Sequence, residues 1–207
     1  MSQINFYGRY TARSLYFQAS AGGGYNSYTQ ERQVAIGSVS RLAMGKWKGY
    51  EYGGVAEVGY MTQFSAYQFN PYIRGAYLKN HENGYTETAG GTGVNLTVAA
   101  RNADNARAAL GFTLDRDFPI YYDSYLEAEF RGNFTREFKN DPYAVTAQFG
   151  VGPSFINYSN KRDPNRANIG IGIAHKDSYS SVSVDYDAEI SNGYLAHKAG
   201  VTARFRF

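Results

Sequence analysis

Charged residues at every second position are the first feature of this 207-residue chain that could do chemistry. Arg9, Glu51, Glu57, Arg74, Arg107, Glu127, Glu129, Arg131, Asp185, Asp187, Glu189, Lys198, Arg204 and Arg206 each sit between small, apolar or aromatic neighbours. On extended backbone that spacing puts them all on one face. Two chemistries fit. Taken singly, each residue suits a cross-strand ion pair that fixes register. Taken together, they suit a hydrated wall of mixed charge to which an unfolded segment does not adhere. Catalysis finds no foothold. His81 reads as a loop residue, and His175 and His197 as residues near strand ends; none has a partner at metal-ligand spacing. There is no Gly-x-Ser-x-Gly elbow. The run Gly90-Gly91-Thr92-Gly93 is followed by no helical pattern, so it is not a phosphate cradle. With no cysteine, thiolate metal sites and disulfides are excluded. The reading is therefore no enzyme, no metal and no cofactor.

The elements that would position these residues are clearest at the chain's end. Phe207, Phe205, Ala203, Val201 and Ala199 alternate with Arg206, Arg204, Thr202, Gly200 and Lys198. Before them, Val182, Val184, Tyr186, Ala188 and Ile190 alternate with Ser181, Ser183, Asp185, Asp187 and Glu189. Ser191-Asn192-Gly193-Tyr194 between the two is a turn signal, so the pair predicts a hairpin. One face is apolar; the other carries acids opposite bases. A soluble sandwich would also alternate. A last strand ending on an aromatic, with no polar tail, points instead to a strand facing lipid.

Composition agrees. Twenty Tyr, 13 Phe and 23 Gly against 5 Pro describe an all-β chain rich in turns. Mean hydropathy is −0.49, and no stretch approaches the roughly 20 apolar residues of a membrane helix. A barrel spans a membrane without one, because its polar residues face the lumen. The 21 basic and 18 acidic residues interleave rather than cluster, which argues against a nucleic-acid surface. The sequence opens almost directly into a strand with no basic–apolar leader, which predicts a trimmed piece or the tail of a longer gene product.

In order, strands are expected at 4–10, 15–26, 50–60, 69–77, 105–116, 125–134 and 167–174, followed by the final hairpin. Pro71 should lie near a strand start, since it cannot donate to a ladder. Residues 28–48 read as an exposed loop with strand-like shoulders; its basic part, Arg32–Lys48 with Trp47 inside it, reads first as a solvated loop, with contact to lipopolysaccharide phosphates as the alternative. Residues 79–93 and 136–166 read as long connections. Tight turns are expected at 11–14, 61–65, at Asp117-Phe118-Pro119-Ile120, and at 177–179. Short turns alternate with the other connections, as in outer-membrane barrels, and aromatics such as Phe64, Tyr67, Phe118, Tyr121, Tyr122 and Tyr179 crowd the short-turn side. Residues 145–155 also look like a strand. Were they to cross the membrane, the turn near residue 119 would fall on the wrong side, so they are assigned to a β-extension of the external loop. That leaves about nine membrane strands.

Several segments in this order resemble the C-terminal translocator domain of bacterial type V autotransporters. They are Tyr52-Gly53 with Glu57-Val58-Gly59-Tyr60; Asn70-Pro71-Tyr72-Ile73 through Gly84-Tyr85-Thr86-Glu87 to Arg107 and Leu110-Gly111; and Val182 to Glu189, Asn192-Gly193-Tyr194, Gly200-Val201 and Arg204-Phe205-Arg206-Phe207. The resemblance covers residues 1–207. It implies an antiparallel transmembrane up-and-down β-barrel in the bacterial outer membrane, of which this chain supplies the fourth to twelfth strands of twelve. The family's lumenal helix and about three initial strands have no counterpart here, which leaves open a split gene, a fragment or an unusual closure, and the helix-borne cleavage site cannot be carried over. The resemblance further implies the alternating charges as lumen-facing, and Val201, Ala203, Phe205 and Phe207 as the signal read by the barrel-assembly machinery. The implied function is anchoring and export of an N-terminal passenger. The implied partners are that passenger, outer-membrane lipid and lipopolysaccharide, with no nucleic acid. Two alternatives stay open: a small pore or adhesin without a passenger, and a soluble β-barrel binding a small ligand.

Overall fold

A computed structural model describes residues 2–121, 123–140, 142–160 and 163–206; Tyr122 and Phe207, both named above, lie outside them. Strict alternation along the chain gives strands throughout. They are β1 (Ser2–Ala12), β2 (Leu15–Ile36), β3 (Val39–Tyr60), β4 (Thr62–Phe64), β5 (Tyr67–Glu82), β6 (Tyr85–Thr86), β7 (Leu96–Val98), β8 (Arg101–Tyr121), β9 (Ser124–Lys139), β10 (Ala144–Phe149), β11 (Ser154–Tyr158), β12 (Asn165–Lys176), β13 (Ser180–Ser191) and β14 (Tyr194–Phe205).

Nine of them form one antiparallel meander in the order β1-β2-β3-β5-β8-β9-β12-β13-β14, with β4 pairing β5 off this path. The sheet curls into a half-barrel whose two end strands, β1 and β14, each have one neighbour among the described residues. The nine-strand path agrees with the expected number of spanning strands. Residues 145–155 stay off it, as expected. They are, however, two strands rather than one: β10 and β11 turn at Gly150 and join β7 and β6 in a separate four-stranded sheet, ordered β11-β10-β7-β6.

Local chemistry sets the turns. Asn192-Gly193 closes the last hairpin with Gly193 at φ +71°, a conformation open to glycine and costly for most residues. Asp177 accepts from the Tyr179 and Ser180 amides at 2.8 and 2.6 Å, which folds the β12–β13 turn around its carboxylate. The Ser180 hydroxyl, donating to Asp177 Oδ2 at 2.7 Å, and after it those two amides hold the Asp177 carboxyl below the usual carboxylate range. Pro71 falls where it harms nothing. On one side β5 pairs β3 only up to Gly59–Tyr72 and resumes with β4 at Thr62–Phe69, so Asn70 and Pro71 lie opposite the break.

Several boundaries differ from expectation. Residues 28–48 are not a loop: β2 and β3 stay paired from Leu15–Tyr60 to Ile36–Val39, as arms of one hairpin. Charged and polar side chains on both faces of those arms hide the alternation that marks a half-buried strand. Asp117-Phe118-Pro119-Ile120 is strand, not turn. Proline is accommodated by an irregular register between Pro119 and Tyr121, and the chain reverses around Asp123. His81 lies in β5, and His197 lies well inside β14.

Candidate functional site

The register carries one apolar stripe across the whole sheet. Residues in register share a face, so Phe17, Val58, Ile73, Leu110 and Phe134 lie in a row, as do Phe130, Ile171, Tyr186 and Ala199. This face is bare: Ile73 is 58% exposed, Leu110 63%, Ile171 54% and Val201 73%. On β3 it runs from Tyr60 to Tyr50, about 33 Å along a strand at the usual rise. At the 35–45° tilt of membrane barrels that is about 25 Å of depth, the height of a lipid-facing band.

The opposite face lines the inside of the curl. One hollow of about 300 Å³ is bounded by Tyr16, Glu57, Arg74, Arg131, Asn168 and Asp187, which come from six different strands, so these side chains converge across the concavity. Glu57, 4% exposed, is its hub. It accepts from Tyr16 Oη at 2.9 Å, from Gln18 Nε2 at 2.8 Å and from Arg74 Nε at 2.5 Å, tying β2, β3 and β5 together. Arg74 also lies over the Tyr72 ring, and Arg9 over the Tyr16 ring at 4.8 Å. The rings of Tyr16 and Tyr72 in turn occupy the space where Gly59 and Gly111 have no side chain; a Cβ at either glycine would overlap them.

A second knot links β9 to β13. Arg131 donates to Glu129, to Asp187 at 2.9 Å and to Asp185 at 3.3 Å. Arg166 joins Glu137, with Glu189 at 3.5 Å, and Lys176 reaches Glu127 at 2.6 Å. Arg107 stands in register with Glu137 on this face, and Glu51 with Asn80. Lys198 stands opposite Asp187 and Arg204 opposite Ser181, both on the concave side of β14. Arg206 follows β14, its amide donating to the Tyr179 carbonyl at 2.8 Å. The convex side of β14 carries Val201, Ala203 and Phe205, opposite Val184, Val182 and Ser180.

Sequence reasoning passed over Arg166, Glu137 and Lys176. All lie where strands were taken to have ended, and their place in the alternation was the signal. It also passed over a cluster at the long-loop end. Glu82 accepts from Trp47 Nε1 at 2.7 Å, from Tyr143 Oη at 3.0 Å and from Arg101. Trp47 stacks between Tyr85, at 4.3 Å, and Tyr28, at 5.3 Å. Arg32 forks onto Glu87 at 3.1 and 2.5 Å and donates to the Val94 carbonyl at 2.8 Å. That guanidinium draws the Glu87 carboxyl below its ordinary range, and burial with the Glu82 bond pushes the Tyr143 phenol up to about 12. Paired backbone bonds between Met44 and Thr88 fasten the small sheet to β3. These contacts join β2, β3, β5 and both long connections into a second layer beyond the lipid-facing band.

Two of the three histidines have partners unsuited to nucleophilic catalysis. His81 meets Asn102 and Asn83 at 2.7 and 3.1 Å, and His197 meets the Tyr186 phenol at 2.6 Å.

A bare apolar exterior of membrane depth, a charged concave interior, and short turns opposite long connections define a β-barrel-type sheet of the bacterial outer membrane. The autotransporter β-domain model matches residues 2–189, and the chain belongs to that family. Among curated proteins it is 24% identical to outer membrane protein A of Rickettsia conorii over 98% of this chain and 10% of that protein. It is 26% identical to outer membrane protein A of Rickettsia rickettsii over 81% of this chain and 7% of that protein. The chain thus spans a tenth or less of these relatives. The family is one of translocator domains in the outer membrane, not of enzymes.

Proposed function

We propose that the chain is the wall of a conduit that anchors an N-terminal passenger and helps it reach the cell surface. The observation that carries this reading is the cross-linked charge on the concave face. Most of the acids and bases there are engaged with one another, while Arg9, Glu51, Arg107, Lys198, Arg204 and Arg206 have no ion-pair partner among the described residues, so a passing segment meets a hydrated surface of partly neutralised charge. The lumen-facing set is then Arg9, Glu51, Glu57, Arg74, Arg107, Glu127, Glu129, Arg131, Asp185, Asp187, Glu189, Lys198, Arg204 and Arg206. The length of the relatives beyond the matched segment supports a passenger. A bilayer tolerates no unpaired strand edge, so further strands must cover the free sides of β1 and β14.

Val201, Ala203, Phe205 and Phe207 serve as the sequence read by the barrel-assembly machinery. Deletion of Phe207 tests this part: we expect less heat-resistant folded protein in the outer-membrane fraction, and normal amounts would refute it. The passenger is tested with the natural reading frame tagged upstream of the β-domain. Surface labelling of the tag in intact cells supports export; a tag reached only after the outer membrane is broken favours a pore without a passenger.

A further inference from the structure

The convex face changes character abruptly at the long-connection end. Beneath the change lies a tyrosine belt: Tyr25, Tyr50, Tyr52 and Tyr77, with Tyr50 stacked on Tyr52 at 6.4 Å. One register step beyond, the same face of β3 carries Lys48 and then Lys46, and β5 carries Lys79 beside Tyr52. None of the three lysines has an ion-pair partner among the described residues; Lys48 only lies over the Tyr25 ring at 5.9 Å. The nearest acids on that face are Asp104, in register with Lys79 but bonded to Lys139 at 3.3 Å, and Glu31, in register with Met44 further out. Hydroxyls face the lysines from β2: Ser27 opposite Lys48 and Thr29 opposite Lys46. Together with Trp47 and Asn83 these residues border a hollow of about 450 Å³. Near the short turns the same face is built otherwise at Arg116, which is covered by Tyr67 and Phe118, at 5.0 and 4.6 Å.

We propose that Lys46, Lys48 and Lys79, with the Ser27 and Thr29 hydroxyls, form a docking site for the phosphates of lipopolysaccharide in the outer leaflet. Three chemical features select this occupant. Unpaired ammonium groups and hydroxyl donors match a phosphate. Lys48 and Lys46 stand one and two steps past the apolar band, where lipid phosphates lie, and Lys79, level with Tyr52 at the edge of the band, reaches them by extending along its stem. The tyrosine belt beneath offers an amphipathic floor for the sugar–acyl junction. The site rests on the reading of the convex face as lipid-facing, but not on passenger export. A lysine near an anionic membrane surface contributes roughly fivefold in binding, so three contribute on the order of 100-fold.

The test measures lipid A carried through gel filtration by the full chain in non-ionic detergent, quantified by its fatty acids. The diphosphoryl form should co-elute in a salt-sensitive manner. Its dephosphorylated form should be lost, and millimolar inorganic phosphate should not displace the diphosphoryl form. The triple variant K46Q/K48Q/K79Q should bind on the order of 100-fold more weakly while keeping the wild-type gel mobility of unheated samples. Equal retention of dephosphorylated lipid A, or an unchanged triple variant, would overturn the proposal. Displacement by inorganic phosphate would reassign the site to the free anion and overturn it as a lipid site. If the lipid-facing reading itself were wrong, both forms of lipid A would be lost and the chain would remain monomeric without detergent.

Discussion

Removing Glu57 offers a quantitative test of how the concave face holds the sheet. Glu57→Ala takes the acceptor away from a phenol, an amide and a guanidinium on two flanking strands. A hydrogen bond to a charged acceptor is worth about 1.5–3 kcal/mol when its donor is left without a replacement. Tyr16 is 8% exposed, so its hydroxyl keeps most of that penalty. The Arg74 side chain is 45% exposed and turns to water, which cuts its share to about 1 kcal/mol or less. Gln18 is intermediate. The sum is about 3 kcal/mol for Glu57→Ala. For Glu57→Gln it is about 1.5 kcal/mol, because an amide oxygen still accepts from Tyr16. Urea unfolding of outer-membrane preparations, followed by gel mobility of unheated samples, reads the loss. A double-mutant cycle with Tyr16→Phe should couple more strongly than one with Arg74→Met. A cost below about 0.5 kcal/mol for Glu57→Ala would refute the argument: water would then replace all three bonds, and the hub would hold nothing.

Other consequences follow from the same contacts. Gly59→Ala forces a methyl into the Tyr16 ring and should cost about 1–3 kcal/mol, with much of the loss restored when Tyr16 is also shortened to Leu. The Arg32–Glu87 fork should make the outer layer acid-sensitive. The folded-state pKa of Glu87 lies below its unfolded value, so its stabilisation is complete above the ordinary carboxylate range and disappears as pH falls through the folded value. Relative to the intrinsic amide exchange rate, which itself falls with pH, the protection of residues 85–98 should therefore drop on acidification while β12–β14 keeps its protection, and Glu87→Gln should show the lowered protection already at neutral pH. Equal protection at both pH values in the native chain would count against the lock.

How far the sequence spoke depended on which face a strand could hide. Where one face is wholly apolar, as in Ile169, Ile171 and Ile173 or Val182 and Val184, the alternation is clean and the strands were readable. In the outer parts of β2 and β3 both faces are polar, since Arg32 reaches Glu87 on one side while Lys46 stands free on the other. Period-two hydrophobicity is then absent, and a hairpin passes for a loop. Pro119 misled for a different reason: a proline before an expected reversal reads as turn, yet an irregular register lets it finish a strand. The concave residues were legible as a set from alternation alone. Their partners were not, because the Arg131 contacts with Asp185 and Asp187 cross two strand boundaries that no spacing along the chain reveals.

The account turns on which face of the sheet meets hydrocarbon, and the absence of cysteine makes that measurable. Single cysteines at Ile73, Leu110 and Ile171 on the convex face, and at Ala76 and Ala109 on the concave face, can be treated in membranes with a water-soluble maleimide, then probed with nitroxide-bearing lipid. The first group should resist the maleimide and be relaxed by the nitroxide; the second should react and be spared. The reverse pattern, or neighbours Ala109 and Leu110 behaving alike, would contradict it.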